Sequence, residues 1–192
     1  MMNPELYLRH LHLKNRGQRP ESNRVMNEFI DSFSTEEEKD TWVDEFLKSG
    51  EYGHQINYDL YVRLVFPVLL KRYRRQERES MLWLAKTIHN IGRNLSLFEE
   101  VGKGKYGFLL EAYTLLPDEE TRQKLLGSLC GDLDYAQHEW PAGILIGSNG
   151  ATFEECEEYL KDVVFARTLD DGDEREFLDT FEARVKSYME RL

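Results

Sequence analysis

From Ile56 to Arg75 the chain carries apolar side chains on nearly every side of a helix: Tyr58, Leu60, Tyr61, Val62, Leu64, Val65, Phe66, Val68, Leu69 and Leu70. A helix of that kind has no face to offer water, so it belongs in the middle of a bundle. Pro67 interrupts the run. Proline lacks the backbone N–H and its ring clashes with the carbonyl four residues earlier, so a kink or a break is expected there. A buried strand over Leu64–Leu70 is the competing reading, which periodicity alone does not exclude. The longest apolar stretch of the run, Leu64–Leu70, is seven residues, where a membrane span needs about 20.

Helical spacing governs the rest. Asn3 followed by Pro4 is a cap with proline at the first helical position, opening a helix to about Lys14. Gly17 and Pro20 break the chain. Val25, Met26, Phe29, Ile30 and Phe33 then share one face. Ser34 with Glu37 reads as a capping box before Trp42, Val43, Phe46 and Leu47, and Gly50 is the stop. Further faces are Met81, Leu84, Ala85, Ile88 and Ile91; Leu109, Ala112, Tyr113 and Leu116; and Leu125, Leu126, Leu129 and Leu133. Trp140 to Gly150 is a loop, with Ile144–Ile146 as a short extended piece. Thr152 with Glu155 is a second capping box, ahead of inward Phe153, Cys156, Leu160 and Val163. Phe177, Phe181, Val185, Tyr188 and Leu192 complete a last amphipathic helix.

Leu69-Leu70-Lys71-Arg72-Tyr73 recurs as Leu109-Leu110-Glu111-Ala112-Tyr113, in the spacing range of helical-repeat families. The expected fold is all-α: eight to ten helices in stacked antiparallel hairpins, solenoid-like or as an irregular bundle. With 192 residues it is read as a single domain over 1–192, any subdivision falling near 94–104.

Charge is the other strong signal. The net charge is −11, and residues 97–192 hold 10 Lys/Arg against 22 Asp/Glu, while residues 1–96 are nearly balanced at 15 against 14. Such a field repels nucleic acid and anionic lipid and favours basic partners. Its densest part lies on the polar side of one helix and in the turn after it: Glu154, Glu155, Glu157, Glu158, Asp162, Asp170, Asp171, Asp173 and Glu174. These nine are the candidate partner-binding residues. A plain solvated face is the bland alternative.

Catalytic chemistry finds little footing. Gly102-Lys103-Gly104-Lys105-Tyr106-Gly107 matches the glycine pattern of phosphate-binding loops, but no strand precedes it and no H-R-D or D-F-G follows, so a helix–helix connection is expected. His10, His12, His54, His89 and His138 are scattered, Cys130 and Cys156 sit on apolar faces, and no metal or other cofactor is expected. Asp132 and Asp134 diverge on a helix and read as solvated. Lys71, Arg72, Arg74, Arg75 and Arg78 form the basic cluster, expected to close a helix C-terminus and pair with acids rather than bind RNA. An enzyme would have to gather distant groups such as Asn57, Asp59, Arg63 and His89. The early charges of MMNPELYLRHLHLKNR and the two cysteines favour a chain kept in the cytoplasm.

Ile56-Asn57-Tyr58-Asp59-Leu60, Phe66-Pro67-Val68-Leu69-Leu70 and Trp83-Leu84-Ala85-Lys86 carry a resemblance. The stretch HQINYDLYVRLVFPVLLKRY, with SMLWLAKTIHNIGRN after it, resembles the central region of all-helical immunity proteins of bacterial polymorphic-toxin and contact-dependent inhibition systems. It covers about a fifth of the chain. The resemblance implies a cytoplasmic, non-enzymatic inhibitor that masks the active surface of a cognate toxin, and the acidic half suits a basic one. A helical-repeat adaptor without a toxin partner is the alternative.

Overall fold

The computed structural model describes residues 2–50, 56–143, 145–146 and 149–192. His54 and Ile144 lie outside them. Every regular element among the described residues is helical, and none is a strand. None of these helices is long and apolar enough to cross a membrane. The chain divides into two compact units, Met1–Phe108 and Leu109–Leu192.

In the first unit α1 (Pro4–Asn15) opens at Asn3, whose side chain accepts the Glu5 N–H at 3.1 Å. Gly17, at φ +73°, turns the chain into α2 (Arg19–Asp31), and Pro20 lies in the first turn of that helix. α3 (Glu36–Ser49) is capped one residue later than the sequence suggests. The Thr35 hydroxyl accepts the Glu38 N–H at 3.1 Å, and the Glu38 carboxylate accepts the Ser34 N–H at 2.9 Å. Gly50, at φ +67°, ends the helix as expected.

The apolar run is helical throughout, which excludes the strand reading. It begins as α4 (Tyr58–Leu60), widens into a π turn over Tyr61–Val65 and continues as α5 (Phe66–Tyr73). The wide turn is the local answer to Pro67, whose ring would press on the Arg63 carbonyl in a regular helix. Instead the Phe66 N–H reaches the Tyr61 carbonyl, five residues back. Tyr61, Val65 and Leu69 are buried, as expected of a central helix. Tyr58 is not: it is 46% exposed, and its hydroxyl accepts from the Asn94 side chain at 2.9 Å. Tyr61 donates to the Thr87 hydroxyl at 2.9 Å, which passes its own proton to the Trp83 carbonyl at 2.8 Å.

α6 (Arg78–Lys86), α7 (Ile88–Ile91) and α8 (Leu95–Val101) follow, and α9 (Lys105–Leu115) runs through the boundary between the units. Tyr7, Phe29, Phe33, Trp42 and Phe46 join α1, α2 and α3, with ring centroids 4.7–6.1 Å apart.

The second unit is built on α10 (Glu119–Ala136), α11 (Phe153–Leu169) and α12 (Arg175–Met189). Leu125, Leu129 and Leu133 of α10, Cys156, Val163 and Ala166 of α11, and Leu178, Phe181 and Val185 of α12 are buried. The capping box forms as read: Thr152 accepts the Glu155 N–H, and Glu155 accepts the Thr152 N–H at 2.7 Å. Some apolar expectations fail. Phe153 opens α11 and is 48% exposed, Leu116 is exposed, and Leu192 lies beyond the end of α12 in water. Ile146 is not extended but left-handed, at φ +55°.

Candidate functional site

At about 1.5 Å per residue, α11 is roughly 25 Å long, and the nine candidate acids divide between its two ends. Glu154, Glu155, Glu157, Glu158 and Asp162 occupy the first half, and Asp170, Asp171, Asp173 and Glu174 form the connection to α12. They lie on one continuous piece of chain but do not make a single patch.

Their environments differ. Glu155 is committed to the capping box. Glu158 pairs with Lys161 at 2.5 Å, one turn on. Glu154 and Glu157 are exposed and have no hydrogen-bond or ion-pair partner among the described residues. Asp162 departs from the expected solvated position: it is half-buried, and burial raises its carboxyl above the usual range, helped by the charges of Glu158 and Asp132. Asp132 and Asp134 are both exposed, the solvated position expected of them. Asp134 accepts from the Gln137 side chain at 3.2 Å, and the charge of Asp132 adds to the field at Asp162 of α11.

The connection is held from α10 by Arg122. Its guanidinium donates to Glu119 at 2.7 and 2.8 Å, to the Leu169 carbonyl that ends α11, and to Asp171. With Arg122 and Gln123 both donating to it, the Glu119 carboxyl is held down to about 2. Asp170 accepts the Glu174 N–H at 3.1 Å and so fastens the start of α12. Asp170 and Asp171 therefore serve the fold, while Asp173 is exposed and without a partner among the described residues. Arg167 of α11 is spent on Asp179 and Glu182 of α12, each at 2.6 Å.

A feature that charge counting misses lies along α11. Phe153 and Val164 are both exposed, Val164 to 62%, and Leu160 is half-buried. The sequence pattern places Phe153 and Leu160 on the core side, and the structure leaves the first exposed and the second half-buried. Counting about 100° per residue, Phe153, Glu157, Leu160 and Val164 fall within about 60° of one another, on a strip that flanks the buried side carrying Cys156, Val163 and Ala166, with Leu160 nearest to it.

The other sequence candidates stay apart or serve structure. Asn57 caps α4 by accepting the Leu60 N–H at 3.1 Å, Arg63 reaches Asp31 of α2 at 2.6 Å, and His89 bonds with Asn90 at 3.0 Å. Each has a different hydrogen-bond partner. Gly102 is the left-handed C-cap of α8 and Gly107 lies inside α9, so the glycine run is a helix–helix connection. In the basic cluster Lys71 pairs with Asp40, Arg72 with Asp40 and Asp44, and Arg74 with Glu100. Among the described residues no group of three His, Cys, Asp or Glu side chains is placed to hold a metal ion. Cys130 and Cys156 are buried, and burial pushes the Cys130 thiol up to about 11, away from the thiolate a nucleophile needs.

No protein-family model, no curated protein and no solved structure matches the chain.

Proposed function

We propose that the chain is a non-enzymatic binding protein of the immunity type, which neutralises a basic bacterial toxin by covering it with the acidic surface of α11. The observation that supports this reading most is the contrast in pairing. Lys71, Arg72 and Arg74 of the first unit are matched with carboxylates, whereas Glu154 and Asp173 face water without cations and Glu157 shares the charge of Lys161 with Glu158. Residues 109–192 carry 8 Lys/Arg against 20 Asp/Glu, which sustains a field felt beyond contact distance. A toxin whose cleft uses Lys and Arg to hold phosphate would be attracted by that field and could be occluded by it. The cytoplasm is where such an inhibitor would work.

The test pairs the protein with the product of the gene directly upstream of its own. Association is measured at low and high salt for the wild type and for Glu154→Lys, Glu157→Lys and Asp173→Lys combined. Asp162 is left unchanged because a lysine there would disturb the packed helix. The wild type should associate up to about a hundredfold faster than the variant at low salt, and the difference should shrink as salt screens it. Equal rates in all four conditions would make the acidic surface a solvated face only.

A further inference from the structure

We propose that Phe153, Leu160 and Val164 are the anchoring stripe of this surface, and that its occupant is the apolar face of a basic amphipathic helix in the partner. The inference rests on the acidic-surface reading and specifies the chemistry of what binds there. Phe153 and Val164 stand exposed eleven positions apart on one flank of α11, with half-buried Leu160 between them. That separation is about 16 Å along the axis, three helical turns. Isolated exposed apolar residues are ordinary, but an aromatic and two aliphatic side chains aligned over three turns form a ridge of the kind helices pack against.

Charge selects the occupant. Glu157 stands within the stripe, and Glu154 and Glu158 lie about 100–140° round the helix from Phe153, outnumbering the one cation of that edge, Lys161, which is paired with Glu158. A partner helix that lays Leu or Val on the ridge brings its flanking positions beside these carboxylates, where Lys or Arg is favoured. A second copy of this chain would bring like-charged glutamates together instead. An anionic lipid surface would be repelled in the same way.

The probe is a synthetic Leu/Lys amphipathic helix, compared with a Leu/Glu helix of the same pattern and with a Leu/Lys peptide shuffled to lose its stripe. Binding to the full chain is followed by fluorescence anisotropy at low and high salt, with circular dichroism to verify helicity. The Leu/Lys helix should bind and both controls should not. Phe153→Ser with Val164→Ser should weaken binding by about tenfold or more, since buried anchors hold most of the energy in such contacts. Val164→Ser alone answers the question if the double variant loses helicity. If the serine variants bind like the wild type while Glu154→Lys with Glu157→Lys weakens binding, the stripe is not the anchor and the acidic surface stands. If the Leu/Glu helix binds equally well and salt has no effect, the acidic reading falls too. Wild-type self-association that the serine variants abolish would overturn the proposal in favour of a second copy.

Discussion

His10 and Ser22 clasp α1 to α2 with reciprocal bonds in the interior: the His10 Nδ1–H donates to the Ser22 carbonyl at 2.9 Å, and the Ser22 hydroxyl donates to the His10 carbonyl at 3.2 Å. Burial lowers the His10 pKa below its ordinary 6.5, so the folded chain keeps the ring neutral. The unfolded chain takes up the proton first as pH falls. The clasp therefore contributes fully above about pH 6.5 and loses its contribution as pH drops through the folded value. Urea unfolding at pH 7 and at pH 5 should show this loss, and His10→Gln should remove part of it. Asp162 has the opposite sign. Its raised carboxyl costs stability while ionised, above its folded pKa, and the cost is relieved on acidification. Asp162→Asn should raise the melting temperature at pH 7, with the gain fading towards acid pH.

At the scale of elements, the helix with the π turn carries the first unit. Leu69 is fully buried there, and Leu69→Ala should cost about 2–5 kcal/mol in chemical denaturation. The glycine run allows a sharper comparison. Gly102 holds a left-handed φ of +65°, whereas Gly104 has no positive φ and open space around its missing side chain. Gly102→Ala should destabilise by about 1–2 kcal/mol and Gly104→Ala by much less, because only the first forces a Cβ into a disfavoured backbone. Neither change should alter the response to ATP and Mg²⁺ in a thermal-shift titration, where the wild type should show none. The helices were legible in the sequence because their signals are local. Asn3, the Thr152–Glu155 box and the face Leu125–Leu129–Leu133 need only neighbours within a turn or two. Tyr58 was not, since its exposure is fixed by Asn94, thirty-six residues away. The Arg122 tie spans 47 and 49 residues to Leu169 and Asp171, a separation no periodicity encodes. For the acidic surface, the sequence revealed the amount of charge and its location. It could not show which carboxylates the fold itself consumes, nor that Phe153 turns outward.

The whole molecule carries its charge unevenly, and that governs its response to salt before any partner arrives. Like charges crowded into residues 109–192 oppose compaction over distances that follow the Debye length, about 30 Å at 0.01 M and about 8 Å at 0.15 M. Raising ionic strength across that range should raise the melting temperature. Asp173→Lys should raise it at low salt and flatten the dependence, which differential scanning calorimetry would read directly. The π turn has a consequence for the chain's length. A five-residue hydrogen-bonded step holds one residue more than an α turn, so it behaves as an insertion absorbed in mid-helix, setting the rotational phase of everything from Phe66 onward. Inserting one more residue there would turn the downstream faces by about 100° relative to Leu60 and bring Val68 and Leu69 out of register with their pockets. Deleting Val62 would instead close the wide turn to an ordinary α turn, keeping those faces in phase but returning the Pro67 ring to a carbonyl it now avoids. Along this helix, exchanging one apolar residue for another is a small change, and altering their number is a large one.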